Sequence, residues 1–132
     1  MGQTLFDKVW DQHVIADLGG GMTLLHIDRI LLHDLSGYRA LKSLEEAGEA
    51  VAHPEMVLGS PDHTAASDPD NPAGGEAYGQ VGDEFRELCK RHGIRYHHVD
   101  SPGFGILHII GPELGVTLPG ATLVCGDSHT CT

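Results

Sequence analysis

Short apolar runs alternate along this chain with segments of helical period, and that alternation leaves few folds open. Thr23-Leu-Leu-His-Ile27, Glu55-Met-Val-Leu-Gly59, Ile94-Arg-Tyr-His-His-Val99 and Ala121-Thr-Leu-Val-Cys125 read as strands, each stopped by glycine or polar residues. Between them lie helical patterns. Thr4-Leu-Phe-Asp7 has the form of a capping box, and an amphipathic helix is expected over residues 5–14. Ser36 is a plausible N-cap for a second helix that carries Tyr38, Leu41, Leu44 and Ala47 on one face and stops at Gly48. A third runs from Glu76 to His92, with Gly93 as its C-terminal cap. Gly105-Ile-Leu-His-Ile-Ile110 fits strand or helix equally. Strands alternating with helices specify an α/β fold, here a three-layer α/β/α sandwich with a mostly parallel sheet and Ala121–Cys125 as a buried strand.

At 132 residues the chain suffices for one domain. The turn-rich segment 64–75 is expected as a loop within it rather than a linker. Eight basic residues against nineteen acidic ones, a net charge of -11, argue strongly against a nucleic-acid partner, because phosphate binding needs clustered Lys and Arg. The same charge repels anionic membrane surfaces. No run approaches the roughly 18 apolar residues of a membrane span, and the first residues lack a basic region followed by an apolar segment. Three cysteines without a CxxC pair give no disulfide framework. A cytoplasmic protein with reduced thiols is the expectation.

Two segments repeat one arrangement: an apolar strand, a break, then an acid beside a histidine. They are Val57-Leu-Gly-Ser-Pro-Asp62-His63 and Val124-Cys-Gly-Asp127-Ser128-His129. In open α/β sheets ligands bind beyond the carboxyl ends of the strands, so both segments fall where chemistry is expected. An Asp accepting from one imidazole nitrogen fixes the tautomer and raises the basicity, which suits acid–base work near neutral pH. Asp and His are also ordinary turn residues after strands, and that plainer reading stays open. The ten histidines have no HExxH or Cys/His finger spacing, so no histidine metal site is expected. Cys125 reads as a small core residue, and His108 as a core histidine that needs partners. The glycines form neither GxGxxG nor a P-loop.

Taken in order, Thr23-Leu-Leu-His-Ile-Asp-Arg29, Pro61-Asp-His63, Gly105-Ile-Leu-His108, Gly111-Pro-Glu-Leu-Gly-Val-Thr-Leu-Pro-Gly120 and Val124-Cys-Gly-Asp-Ser-His-Thr130 resemble the aconitase superfamily. Within it they are most similar to the N-terminal region of the large subunits of the 3-isopropylmalate dehydratase branch. The resemblance runs along essentially the whole chain, and its last two blocks are the most specific. It implies a hydro-lyase of leucine biosynthesis that interconverts 2- and 3-isopropylmalate with a [4Fe-4S] cluster, in a heterodimer with a small subunit. It also implies roles for residues. Asp62 with His63 and His108 with Asp127 match acid–imidazole pairs, His129 matches a histidine that pairs with a later acid, and Ser128 matches a residue lining the substrate site. These imidazoles are expected to hydrogen-bond and protonate the departing hydroxyl.

Departures from the family pattern set further expectations. Family large subunits are several times longer and carry their cluster cysteines beyond the point matching Thr132, so this chain is expected to be the first part of an aconitase-like domain. Cys89, Cys125 and Cys131 do not occupy the cluster positions, and no cluster is expected on this chain alone. Ser36-Gly-Tyr-Arg39 replaces a Thr-Ser-Pro-Gln block, which leaves related hydratases of citraconate, dimethylmalate or homoaconitate type open. Two other classes also remain. One is a non-catalytic fragment that keeps only a partner-binding surface. The other is a metal-independent hydrolase using Asp127, Ser128 and His129, disfavoured because no nucleophile elbow surrounds the serine.

Overall fold

The computed structural model describes residues 2–66, 68, 70 and 76–130. Helix α1, Leu5–His13, starts at the expected capping box, where the Asp7 N–H donates to Thr4 Oγ1 at 3.1 Å and the Thr4 N–H to the Asp7 carboxylate at 2.8 Å. Strands β1 (Val14–Gly19) and β2 (Met22–Leu25) then form an antiparallel hairpin. Its turn runs through Gly19, Gly20 and Gly21, all at positive φ, a conformation that side chains resist. The strand expected at 23–27 is thus a hairpin arm, and β1 was not foreseen.

The main sheet is four-stranded and wholly parallel, in the order β5-β4-β3-β6: β3 is Arg29–His33, β4 Val57–Ser60, β5 Arg95–Tyr96 and β6 Leu123–Cys125. Its side chains alternate between two faces. On one face Val57, with Ile30 and Leu32 beside it, packs against Leu41 of α2 (Ser36–Glu46) and Phe85, Leu88 and Cys89 of α3 (Glu76–Arg91). On the other, Leu31 and Leu58 pack against Leu107 and Ile110 of α4 (Leu107–Glu113), with Leu123 and Cys125 at the margin. Helices on both faces make this the expected three-layer sandwich, the setting a parallel sheet requires.

Several local expectations change. Of the segment that fits strand or helix equally, residues 107–110 start helix α4, because Leu107 and Ile110 must meet the sheet on one side of a 3.6-residue period. Leu35, not Ser36, is the N-cap of α2, and the Ser36 hydroxyl turns to His33 instead. The strand expected over 94–99 contracts to Arg95–Tyr96. Strand β6 lies at an edge among the described residues with Val124 42% exposed, so it is half-buried rather than buried. Most of the segment 64–75 and Cys131 lie outside the described residues.

Parallel pairing has one consequence for chemistry. His33 is level with Ser60, and Leu31 with Cys125, so β3, β4 and β6 all deliver their following residues to the same rim.

Candidate functional site

Beyond Ser60 the chain turns through Pro61 into Asp62 and His63. Asp62 is almost buried at 3% side-chain exposure; one carboxylate oxygen accepts the Leu107 N–H at 2.9 Å and the other faces His63 Nδ1 at 2.7 Å. The opposite ring nitrogen, Nε2, lies 3.0 Å from the Asp127 carboxylate, which comes from the turn after β6. His63 therefore stands between two carboxylates from separate strands, and both its nitrogens have an acceptor only when both carry protons. Burial pushes its pKa down. The Asp62 hydrogen bond and the charges of Asp62, Asp127 and Asp34 outweigh that and hold it above the usual imidazole value.

The Asp127 side chain is 7% exposed. The backbone N–H of His129 chiefly holds its carboxyl below the usual range, with His63 and His108 adding to the effect against burial. His129 Nδ1 lies 3.3 Å from the same carboxylate and 3.0 Å from the Ser128 hydroxyl, with the ring itself largely in solvent. His108, on α4, approaches the group from the other side and meets Thr130 Oγ1 at 3.2 Å rather than Asp127 directly. Asp62, His63, Asp127 and His129 thus form one row, with His108 and Ser128 at its margins. A cavity of about 190 Å³ behind the rim is lined by Pro61, Thr64, Tyr96 and His98 and holds none of this row.

Two residues at the rim escaped sequence reasoning. His33 stacks on His63 with ring centroids 3.9 Å apart, and Asp34, fully buried, accepts the backbone N–H groups of His63 and Thr64 at 3.1 and 2.8 Å. The signal was present, since Ile30-Leu-Leu-His33-Asp34 repeats the arrangement of an apolar strand followed by histidine and acid. The longer apolar run at 23–27 masks it.

His33, Asp34, Asp62 and His63 bring donor atoms within 4.8 Å of one another, close enough to invite a metal ion. Their atoms are already engaged with each other, with backbone N–H groups and with the Gly126 carbonyl, which explains the cluster without an ion. A [4Fe-4S] cluster needs converging thiolates. Cys89, on α3, faces the sheet in the core shared with α2, where burial pushes its thiol up to about 12, while Cys125 packs toward α4 on the opposite face of the sheet. These two thiols do not fit such a cluster.

Comparison with known proteins shows the family. The sequence profile of the Aconitase family (aconitate hydratase) matches residues 7–132. The chain is 49% identical over 132 residues to "3-isopropylmalate dehydratase large subunit 1" of Bradyrhizobium diazoefficiens, covering 99% of the chain. It is 38% identical over 133 residues to the "3-isopropylmalate dehydratase large subunit" of Cytophaga hutchinsonii and 41% over 130 residues to that of a Cyanothece species, covering 100% and 98% of the chain. It spans 28% of the length of each of these relatives.

Proposed function

Because the chain belongs to the aconitase family, we propose that it supplies the acid–imidazole rim of a hydro-lyase acting on a hydroxy-dicarboxylate, with isopropylmalate in leucine biosynthesis as the substrate. The reading extends to the whole enzyme: residues 1–132 form the first part of an aconitase-like large-subunit domain, a small subunit completes it, and it works in the cytoplasm. The described residues include no helix long and apolar enough to cross a membrane. The enzyme's [4Fe-4S] cluster is held by cysteines other than Cys89 and Cys125.

The observation that carries the reading is His63 with each ring nitrogen on a carboxylate. That arrangement favours the doubly protonated ring beside a partly open surface, the requirement for a general acid. The Nε2–H, shared with Asp127 at 3.0 Å, is the proton for a departing hydroxyl. Its transfer leaves His63 neutral and releases water as the C–O bond breaks, while the electron pair of the neighbouring C–H bond forms the C=C and its proton passes to a base elsewhere in the enzyme; re-addition of water runs both transfers backwards. Asp62 keeps the Nδ1 side of the ring fixed throughout. Ser128 meets the substrate at the open edge of the row, and His108 and His129 keep Asp127 ionised.

Replacing the matching part of the Bradyrhizobium large subunit with this chain, and assaying with that organism's small subunit, tests the proposal. The chimera should dehydrate isopropylmalate, and His63→Gln should lower kcat about 100-fold or more, the range general acid catalysis supplies. Activity should fall as pH rises through the raised His63 midpoint, because the working form is protonated. Full activity in the His63→Gln chimera would overturn the assignment.

A further inference from the structure

The end of β3 contributes neither a proton nor a substrate contact to the chemistry above, yet it touches His63 from two directions. Asp34 is fully buried and spends both carboxylate oxygens on backbone N–H groups of the 63–64 turn. His33, 3% exposed, lies nearly parallel to His63, at 21° between ring planes. Its Nδ1 accepts the Leu35 N–H at 3.3 Å, and its Nε2 donates to the Gly126 carbonyl at 2.9 Å while facing the Ser36 hydroxyl at 2.8 Å. The network therefore assigns the Nε2–H tautomer. Gly126 directly precedes Asp127. The approach there is close, since a Cβ on Gly126 would stand 2.8 Å from the Ser36 Cβ.

We infer that His33 and Asp34 are positioning residues: Asp34 holds the backbone that bears His63, and His33 ties that ring to the turn that carries Asp127, setting the His63–Asp127 distance. This rests on the proposed role of His63 as the general acid. The groups facing His63 are Asp62 from its own turn, Asp34 and His33 from the end of β3, and Asp127 from the end of β6, while His108 and His129 act on Asp127 from beyond it. A stacked aromatic ring alone would hold the plane of His63. Only a ring that also bonds Gly126 can hold the distance to Asp127. His33→Phe separates the two, because it keeps a ring and removes every hydrogen bond the imidazole makes.

The test follows the His63 titration by NMR in the 132-residue chain, in wild type, His33→Phe, Asp127→Asn and the double variant. His33→Phe should lower the His63 midpoint by roughly half to one pH unit, as expected when an opposite charge moves away. In the Asp127→Asn background the same change should have little further effect, since the two act through one contact. An unchanged midpoint in a folded His33→Phe variant, or an equal fall in both backgrounds, would overturn the inference. Wild-type ¹⁵N shifts should show His33 as the Nε2–H tautomer at pH 7.5, and the Nδ1–H tautomer would also overturn it, which decides the matter even if His33→Phe does not fold. An inactive chimera would sink the proposed reaction and leave these couplings standing.

Discussion

Asp28 shows how much one carboxylate can hold. It accepts the Thr122 N–H at 2.8 Å, the Thr122 hydroxyl at 3.0 Å and His13 Nε2 at 2.7 Å, so the end of α1, the entry to β3 and the entry to β6 meet on one side chain. The Thr122 backbone bond chiefly depresses its pKa to about 2, against burial, with the Thr122 hydroxyl and His13 adding to the fall. A depressed carboxyl stabilises the fold above its unfolded value of 3.8, and that contribution disappears as pH falls toward about 2. Asp28→Asn puts an amide NH₂ where an acceptor is needed and should cost about 1–3 kcal/mol at pH 7. Urea unfolding of both forms at pH 7 and near pH 2 checks this, and the difference should shrink at the lower pH. His13 runs the other way. The Val9 carbonyl is the first cause of its raised pKa, burial opposes it and Asp28 adds to it, so its contribution is present below 6.5 and is lost as pH rises through the raised value. Sequence alone gives no sign of this role, because Thr122 is 94 residues away and no local pattern points to it.

Element by element, the legible parts were those whose signal is local. The capping box of α1, the length of α3 and the strand before Asp62 follow from caps and apolar period, and they stand within a residue or two of where the pattern puts them. The central strand was missed because Arg29 and His33 bracket Ile30-Leu-Leu, while Thr23–Ile27 offers a longer apolar run. Three apolar residues suffice here because β3 has a strand on either side and a helix layer over each face. That choice is tertiary, outside the reach of periodicity. The same layering makes Gly59 of β4 a point of close approach. A Cβ there would stand 3.1 Å from Tyr96 Cδ2 and 3.2 Å from Cys89 Sγ, with Phe85 behind them. Cys89 and Phe85 are fully buried and cannot retreat into solvent. Gly59→Ala should therefore destabilise the fold by about 1–3 kcal/mol, the usual cost of overpacking, read as a lower Tm with an unchanged far-ultraviolet spectrum. A Tm equal to wild type would mean that β4 can shift away from α3.

Across the whole molecule, the candidate site is a product of parallel topology: residues 33–34, 62–63 and 127–129 are remote in sequence and share one rim because three strands end there. The acid–histidine repeats marked two of these ends from sequence, whereas their mutual contacts depend on register. Register also separates the thiols. Cys89 reaches the sheet from the α3 side and Cys125 belongs to the α4 side, so the backbone layer lies between them. A cubane needs its thiolates around one small volume, and no side-chain rotation carries either sulfur through a paired sheet. Burial further keeps Cys89 protonated, at about 12, and also raises Cys125. Anaerobic reconstitution of the purified chain with iron and sulfide should accordingly leave no stable visible charge-transfer absorbance, and Cys89→Ser should not alter the outcome. A thiol reagent at pH 7.5 should leave Cys89 unmodified until the chain is unfolded. Stoichiometric iron and sulfide bound in the folded chain and lost on Cys89→Ser would require the α2–α3 layer to open, and with it the packing of Phe85 and Leu88 on the sheet.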